Sequence, residues 1–140
     1  MIKQISVFVE NKQGRLLKLT QIFKEAGIDF QSLSIPDTTE FGILRCIVKD
    51  TDKAVEILKK NNFAAKVTEV IAVEVDDKPG GMCELLKIIS DNNYSVDYIY
   101  SFVRTNRNDA LIVLKVKEQK ELETKLIENN IRVLTDENLF

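Results

Sequence analysis

The sequence predicts an α+β chain made of two tandem copies of one βαββαβ unit. Three observations carry that prediction. The order of elements runs through once and restarts near residue 70. A Gly-centred turn between a strand and a helix occurs twice, at Gly14 and at Gly80. The chain also overlays itself at a shift of 66 residues, which lays Gly80 on Gly14 and matches Ile5, Val7, Val9, Lys12, Leu19 and Ile22 to identical residues. Beyond the second strand the shift becomes 68, matching Val48 to Val116, Leu58 to Leu126 and Asn61-Asn62 to Asn129-Asn130, so the later hairpin of the second copy is two residues longer. Self-similarity that preserves both element order and helix ends is the mark of a repeated structural unit.

Taken in order, apolar residues alternate at positions 5, 7 and 9, the period of a half-buried strand. Residues 10–15 break the pattern. From Leu16 the period becomes helical, with Leu16, Leu19, Ile22, Phe23 and Ala26 on one face and Gly27 as the stop. Ile28 to Ile35 reads as a strand, Pro36-Asp37-Thr38-Thr39 as a turn and Ile43 to Val48 as the next strand. Asp50 or Thr51 caps a helix over residues 51–62, and a last strand begins at Val67. The second copy repeats this order from Ile71, with its second helix at 119–130. Such a unit is ferredoxin-like: a four-stranded antiparallel sheet with both helices on one face, the first and third strands central and the second at an edge.

Between Lys66 and Asp77 there is no Gly or Pro, only a β-rich run. The last strand of the first copy therefore passes almost directly into the first strand of the second, with no flexible linker. Two domains, 1–69 and 70–140, rigidly coupled, are expected. Each is barely large enough to bury a core alone.

Composition narrows the function. Hydrophobic residues at 44% and charged residues at 30% are ordinary for a soluble globular chain. A net charge of −2, with no cluster of Lys and Arg, argues against nucleic acid, and no strand interleaves aromatic with basic residues as an RNA-binding sheet does. No apolar run reaches membrane-spanning length, and Lys3 and Gln4 interrupt the first apolar stretch with no cleavage site behind it, so a cytoplasmic location is expected. The chain has no histidine, which removes Ser-His and Cys-His pairs and the commonest metal ligand together. No catalytic residues, metal or cofactor are expected. Cys46 and Cys83 are read as two buried free thiols, Lys115 to Lys125 as a solvated helix face, and Tyr98, Tyr100 and Phe102, which share strand parity, as core or dimer interface.

The repeated turn is the candidate site. A strand that turns into a helix N-terminus presents unpaired N–H groups and the positive end of the helix dipole, a combination that favours a carboxylate or phosphate. The donors are expected at Gly14, Arg15 and Leu16, and at Gly80, Gly81 and Met82, where glycine admits close approach of a ligand to the backbone. Asn11 ends the first strand and Asp29 begins the second; Asp77 and Ser95 are their counterparts in the second copy. In this topology the second strand starts away from the Gly turn of its own copy, so a site using both features is most easily built between copies. Acceptors for an ammonium and donors for a carboxylate make an amino acid the natural ligand. Leu16, Phe30 and Met82 offer apolar walls, and Arg15 a second cation.

Asn11-Lys12-Gln13-Gly14-Arg15-Leu16 followed by Gly27-Ile28-Asp29-Phe30 resembles the ACT domain family, whose pattern is Asn/Asp-x-Pro-Gly-x-Leu and then Gly-Ile/Val-Asn-Ile. Asp77-Lys78-Pro79-Gly80-Gly81-Met82 matches the loop more closely, and the resemblance covers the whole chain in two parts. It implies a regulatory module for an amino-acid-metabolising enzyme, binding a small effector between paired units, with Asn11 and Asp29 as polar contacts and Gly14 to Leu16 facing the carboxylate. Gln13 replaces the loop Pro in the first copy, and Asn92-Asn93-Tyr94-Ser95 replaces the Gly-Ile-Asn pattern in the second. The expected function is thus non-catalytic effector binding, in a homodimer. The competing expectation is a constitutive interaction or oligomerisation module with degenerate pockets.

Overall fold

The computed structural model describes residues 1–36, 39–102 and 109–140. Residues 37–38 of the expected turn, and the segment 103–108 that holds the longer second hairpin, lie outside the described residues. The elements are β1 (Ile2–Glu10), α1 (Arg15–Ala26), β2 (Ser32–Ser34), β3 (Phe41–Ile47), α2 (Thr51–Lys60), β4 (Ala64–Asp76), α3 (Gly81–Asp91), β5 (Val96–Phe102), β6 (Asp109–Val116), α4 (Gln119–Glu128), β7 (Arg132–Val133) and α5 (Asp136–Leu139). Two compact units result, one of Lys3–Thr68 and one of Glu69–Phe140 with Met1 and Ile2.

In the first unit the strand order is β2-β3-β1, with β4 next after β1. The pairs are antiparallel, with Ile5 opposite Cys46, Val7 opposite Leu44 and Leu33 opposite Cys46. Alternation puts Ile5, Val7 and Val9 on one face, where they meet Leu19, Ile22 and Phe23 of α1 and Ala54 and Leu58 of α2 in one core. The second unit runs β7-β4-β6-β5, also antiparallel, with Val73 opposite Ile112 and Val133. Its core joins Ile71, Val73, Leu85, Ile89, Leu114, Leu122 and Leu126. Both units are therefore ferredoxin-like, with helices covering one face of each sheet. The charged residues of α4 flank the buried Leu122 and Leu126 and are mostly exposed, but the helical face expected from Lys115 begins only at Gln119, because Lys115 is a half-buried residue of β6.

The helix ends show the duplication at atomic detail. Gly27 (φ 68°), Asn62 (φ 65°), Asn93 (φ 62°) and Asn130 (φ 61°) each hold the left-handed conformation just past a helix. After each, the next N–H reaches back into the last turn: Ile28 to the Phe23 carbonyl at 2.9 Å, Phe63 to Leu58 at 3.0 Å, Tyr94 to Ile89 at 3.1 Å and Ile131 to Leu126 at 2.9 Å. These are Schellman-type stops, which satisfy carbonyls the helix leaves open. In the three Asn doublets the first Asn adds a side-chain bond, its Nδ2 donating to the carbonyl four residues back at 2.8 Å. Asn92-Asn93, which departs from the family pattern in sequence, thus performs the stop that Gly27 performs in the first copy.

Three further expectations need correction. The strand expected over 28–35 pairs only at Ser32–Ser34. Ile28 instead closes the helix stop, and Phe30 turns its ring onto Phe23 at 5.0 Å, so the chain between is committed to core packing before it reaches β3. Past α4 the chain forms only a two-residue strand, β7, and then a short helix, α5, held by a capping box at Thr135 that the repeat did not foretell. Finally, Cys83 is exposed, because the start of α3 turns it away from Leu85 and Ile89.

Cys46 is buried, and burial pushes its thiol up to about 12. Disulfide reagent at neutral pH is expected to label one thiol per chain, Cys83, with the second appearing only on unfolding. The unfolded Cys46 loses its proton from about pH 9 and the folded one only near 12, so over that window the unfolded state binds fewer protons. Stability contributed by the neutral thiol is complete below pH 9 and falls by about 1.4 kcal/mol per pH unit above it. Cys46→Ala should flatten that part of a melting-temperature profile; an unchanged alkaline slope would refute the assignment.

Candidate functional site

Both Gly turns have the same construction. Gly14 (φ 86°) and Gly80 (φ 95°) stand at the N-caps of α1 and α3 in the left-handed region, which favours glycine. Before each, a Lys N–H bonds back two residues, Lys12 to the Glu10 carbonyl at 2.8 Å and Lys78 to Asp76 at 2.9 Å. The same lysines pair through their ammonium groups with those acidic residues, Lys12 with Glu10 at 3.0 Å and Lys78 with Asp76 at 3.3 Å. All four side chains are well exposed, so these pairs organise the turn more than they stabilise it.

The donor set differs from the expected one by a residue. Arg15 N–H is taken by the Lys12 carbonyl at 3.2 Å and Gly81 N–H by the Lys78 carbonyl at 3.1 Å. Helix bonding starts with Lys18 N–H to Gly14 and Glu84 N–H to Gly80. The first-turn N–H groups left without a helical partner are therefore those of Leu16 and Leu17, and of Met82 and Cys83.

In the first unit the turn borders a pocket of about 340 Å³ lined by Val9, Glu10, Asn11, Lys12, Leu16, Ile35 and Pro36. Asn11 is anchored there: its N–H donates to the Glu40 carbonyl and its Nδ2 to the Thr39 carbonyl, both at 2.9 Å. That leaves Oδ1 as its remaining acceptor. The apolar walls are Val9, Leu16, Ile35 and Pro36. Of these the sequence singled out only Leu16, although Pro36 was visible as a turn residue. Arg15, expected as a second cation, does not line this pocket; its guanidinium lies over the Phe63 ring, 4.1 Å from the centroid. Gln13 is exposed on the turn outside the lining.

Asp29 belongs to another pocket of the same unit, about 260 Å³, lined by Gly27, Ile28, Asp29, Gln31, Lys49, Asp50 and Lys53. Here Lys53 Nζ donates to the Ala26 carbonyl at 2.9 Å, and Asp50 caps α2 by accepting the Lys53 N–H at 3.1 Å. Asn11 and Asp29 are thus not brought together within one unit. Phe30 lines neither pocket, its ring being packed on Phe23. In the second unit Asp77 and Pro79 lie exposed on the turn, Met82 is exposed at the start of α3, and Ser95 is exposed just past the Asn93 stop. Asp77, a carboxylate, cannot make the donated bond that fixes Asn11.

Among the described residues no group of three His, Cys, Asp or Glu is placed to hold a metal, and no helix is long and apolar enough to cross a membrane. A family model described as ACT domain pair matches residues 1–140. No curated protein matches the chain. Among solved structures, protein BT0572 from Bacteroides thetaiotaomicron is 35% identical with a TM-score of 0.87, over 95% of this chain and 91% of that one. The ligand-free regulatory subunit of aspartate kinase from Thermus thermophilus is 14% identical with a TM-score of 0.63, over 90% and 91%. A structure of aspartokinase alpha and beta subunits gives 13% and 0.60, over 90% of each chain. The last two are likenesses of fold.

Proposed function

Since the chain belongs to the ACT domain pair family, we propose that it is a non-catalytic regulatory module whose first unit takes a free amino acid with a neutral, apolar side chain. The pocket at the first Gly turn carries this reading. The Leu16 and Leu17 N–H groups and the positive end of α1 suit the carboxylate. Asn11 Oδ1 suits the ammonium, and Asp29 of another ACT unit provides a second acceptor.

The side chain then falls among Val9, Leu16, Ile35 and Pro36. A second carboxylate would find no fresh cation, because Lys12 is paired with Glu10 and Arg15 with Phe63. A ligand held between two units stabilises one arrangement of them over others, which is the physical basis of an allosteric signal. An amino-acid-metabolising enzyme is the natural recipient of that signal.

A melting-temperature screen against the twenty amino acids tests this. Neutral aliphatic or aromatic amino acids should raise the midpoint, with stabilisation of about 2.7 kcal/mol at a hundred times the dissociation constant, while aspartate, glutamate and lysine should not. Leu16→Asp and Asp29→Ala, both at exposed positions, should each remove the shift without unfolding the protein. If no amino acid at millimolar concentration shifts the midpoint, the chain is instead a constitutive interaction module.

A further inference from the structure

The chain leaves the first sheet abruptly at the Gly turn. The β1–β3 ladder ends with Glu10 opposite Phe41, and the Asn11 N–H adds one more bond, to the Glu40 carbonyl. Lys12 then turns away, its N–H folded back onto the Glu10 carbonyl at 2.8 Å. The Thr39 carbonyl lies one residue beyond that last main-chain bond, and the Asn11 side chain holds it, Nδ2 donating at 2.9 Å. A carbonyl only accepts, so this contact fixes the sense of the amide, with Nδ2 on Thr39 and Oδ1 left to accept.

The bond bears on the pocket because of where Thr39 stands in the chain. Two of the apolar walls, Ile35 and Pro36, belong to the short segment between β2 and Thr39. One end of that segment is tied to the sheet by Ser34 opposite Arg45. The other end is tied by Asn11. Ile35 and Leu16 are 38% and 41% exposed, so burial in a core does not secure the walls. In the second unit the turn is built alike, with Lys78 N–H on the Asp76 carbonyl, yet Asp77 stands where Asn11 stands in the first. The loop pattern accepts Asn and Asp equally, but an ionised carboxylate has no proton to give a carbonyl.

We propose that Asn11 is a positioning residue, a clamp that holds the wall of Ile35 and Pro36 beside the Gly turn and shapes the pocket before an effector arrives. This role rests on the amino-acid reading of the pocket given above and deepens it. A wall held in advance spares the ligand the cost of ordering it. The turn of the second unit, with Asp77, cannot form this clamp, so the two turns differ in readiness although their backbones match.

The sign of one substitution separates a clamp from a simple ligand contact. If Asn11 only met the ammonium of the effector, Asn11→Asp would bind more tightly, because an ionised acceptor is the stronger partner. If Asn11 clamps, Asn11→Asp sets a carboxylate against the Thr39 carbonyl and loses more than Asn11→Ala. Amide exchange of the effector-free protein reads the clamp directly. Residues 39–42 should exchange several-fold faster in both variants, most in Asn11→Asp, with residues 43–47 unchanged. Titration with leucine and with phenylalanine reads the consequence, a loss of up to about tenfold in affinity for Asn11→Ala and a larger one for Asn11→Asp. Unchanged exchange at residues 39–42, or tighter binding by Asn11→Asp, would overturn the clamp. A wild type that binds neither amino acid, with exchange ordered as expected, would overturn the effector reading and leave the clamp standing.

Discussion

Phe23→Ala is expected to cost about 3–5 kcal/mol, the range for emptying an aromatic from a packed core. Phe23 is 1% exposed and sits where α1 crosses the sheet of the first unit. Its ring supports that of Phe30, and its carbonyl receives the Ile28 N–H that ends the helix. Truncation therefore opens a cavity and loosens the segment that leads to Asp29. Because the two units have separate cores, hydrogen exchange should quicken more in residues 3–68 than in 69–140. The counterpart of Phe23 in the second unit is Ile89, also buried, and Ile89→Ala should shift the loss to the other unit. A cost under 1 kcal/mol for Phe23→Ala would refute the packing described.

Gly81→Ala should destabilise by about 1–3 kcal/mol, the usual cost of forcing atoms into filled space. A Cβ at Gly81 would run into the main-chain carbonyl oxygen of Asp76, and backbone at the end of a paired strand yields little. The informative control is Arg15, which occupies the same place in the first turn and makes the same N–H bond, to Lys12 in place of Lys78. There a side chain is accommodated and lies on Phe63. Arg15→Ala should lose only that contact, about 0.5–1 kcal/mol. Urea midpoints at constant slope would report both changes. Equal tolerance at the two positions would mean that the turns do not differ as described.

The contrast shows what was legible in the sequence. Element order, the Gly turns and the helix stops at Gly27, Asn61-Asn62 and Asn129-Asn130 could be read because each depends on local backbone chemistry. Asn92-Asn93 reads by motif as a departure from the ligand pattern, whereas its role follows from Asn and Gly being the two residues that best tolerate the left-handed conformation. The exposure of Cys83, the turning of Arg15 onto Phe63 and the anchoring of Asn11 to Thr39 all depend on residues far away in sequence. So does the brevity of β2, where tertiary packing of Ile28 and Phe30 outweighed a β-rich composition. The pocket walls Ile35 and Pro36 come from the segment after β2, which no motif at the Gly turn indicates.

β4 also sets a timetable. As the chain is synthesised, everything the first unit needs beyond the opening residues is present once Thr68 has emerged. At about 5–20 residues per second, the rest of the chain follows over roughly 4–14 s. During that time the core of the first unit, whose buried residues all lie between Ile5 and Phe63, can close without the second. The second sheet forms later, as β6 and then β7 appear and pair with β4. The order of synthesis thus favours folding of the two cores in succession, the first unit's before the second's.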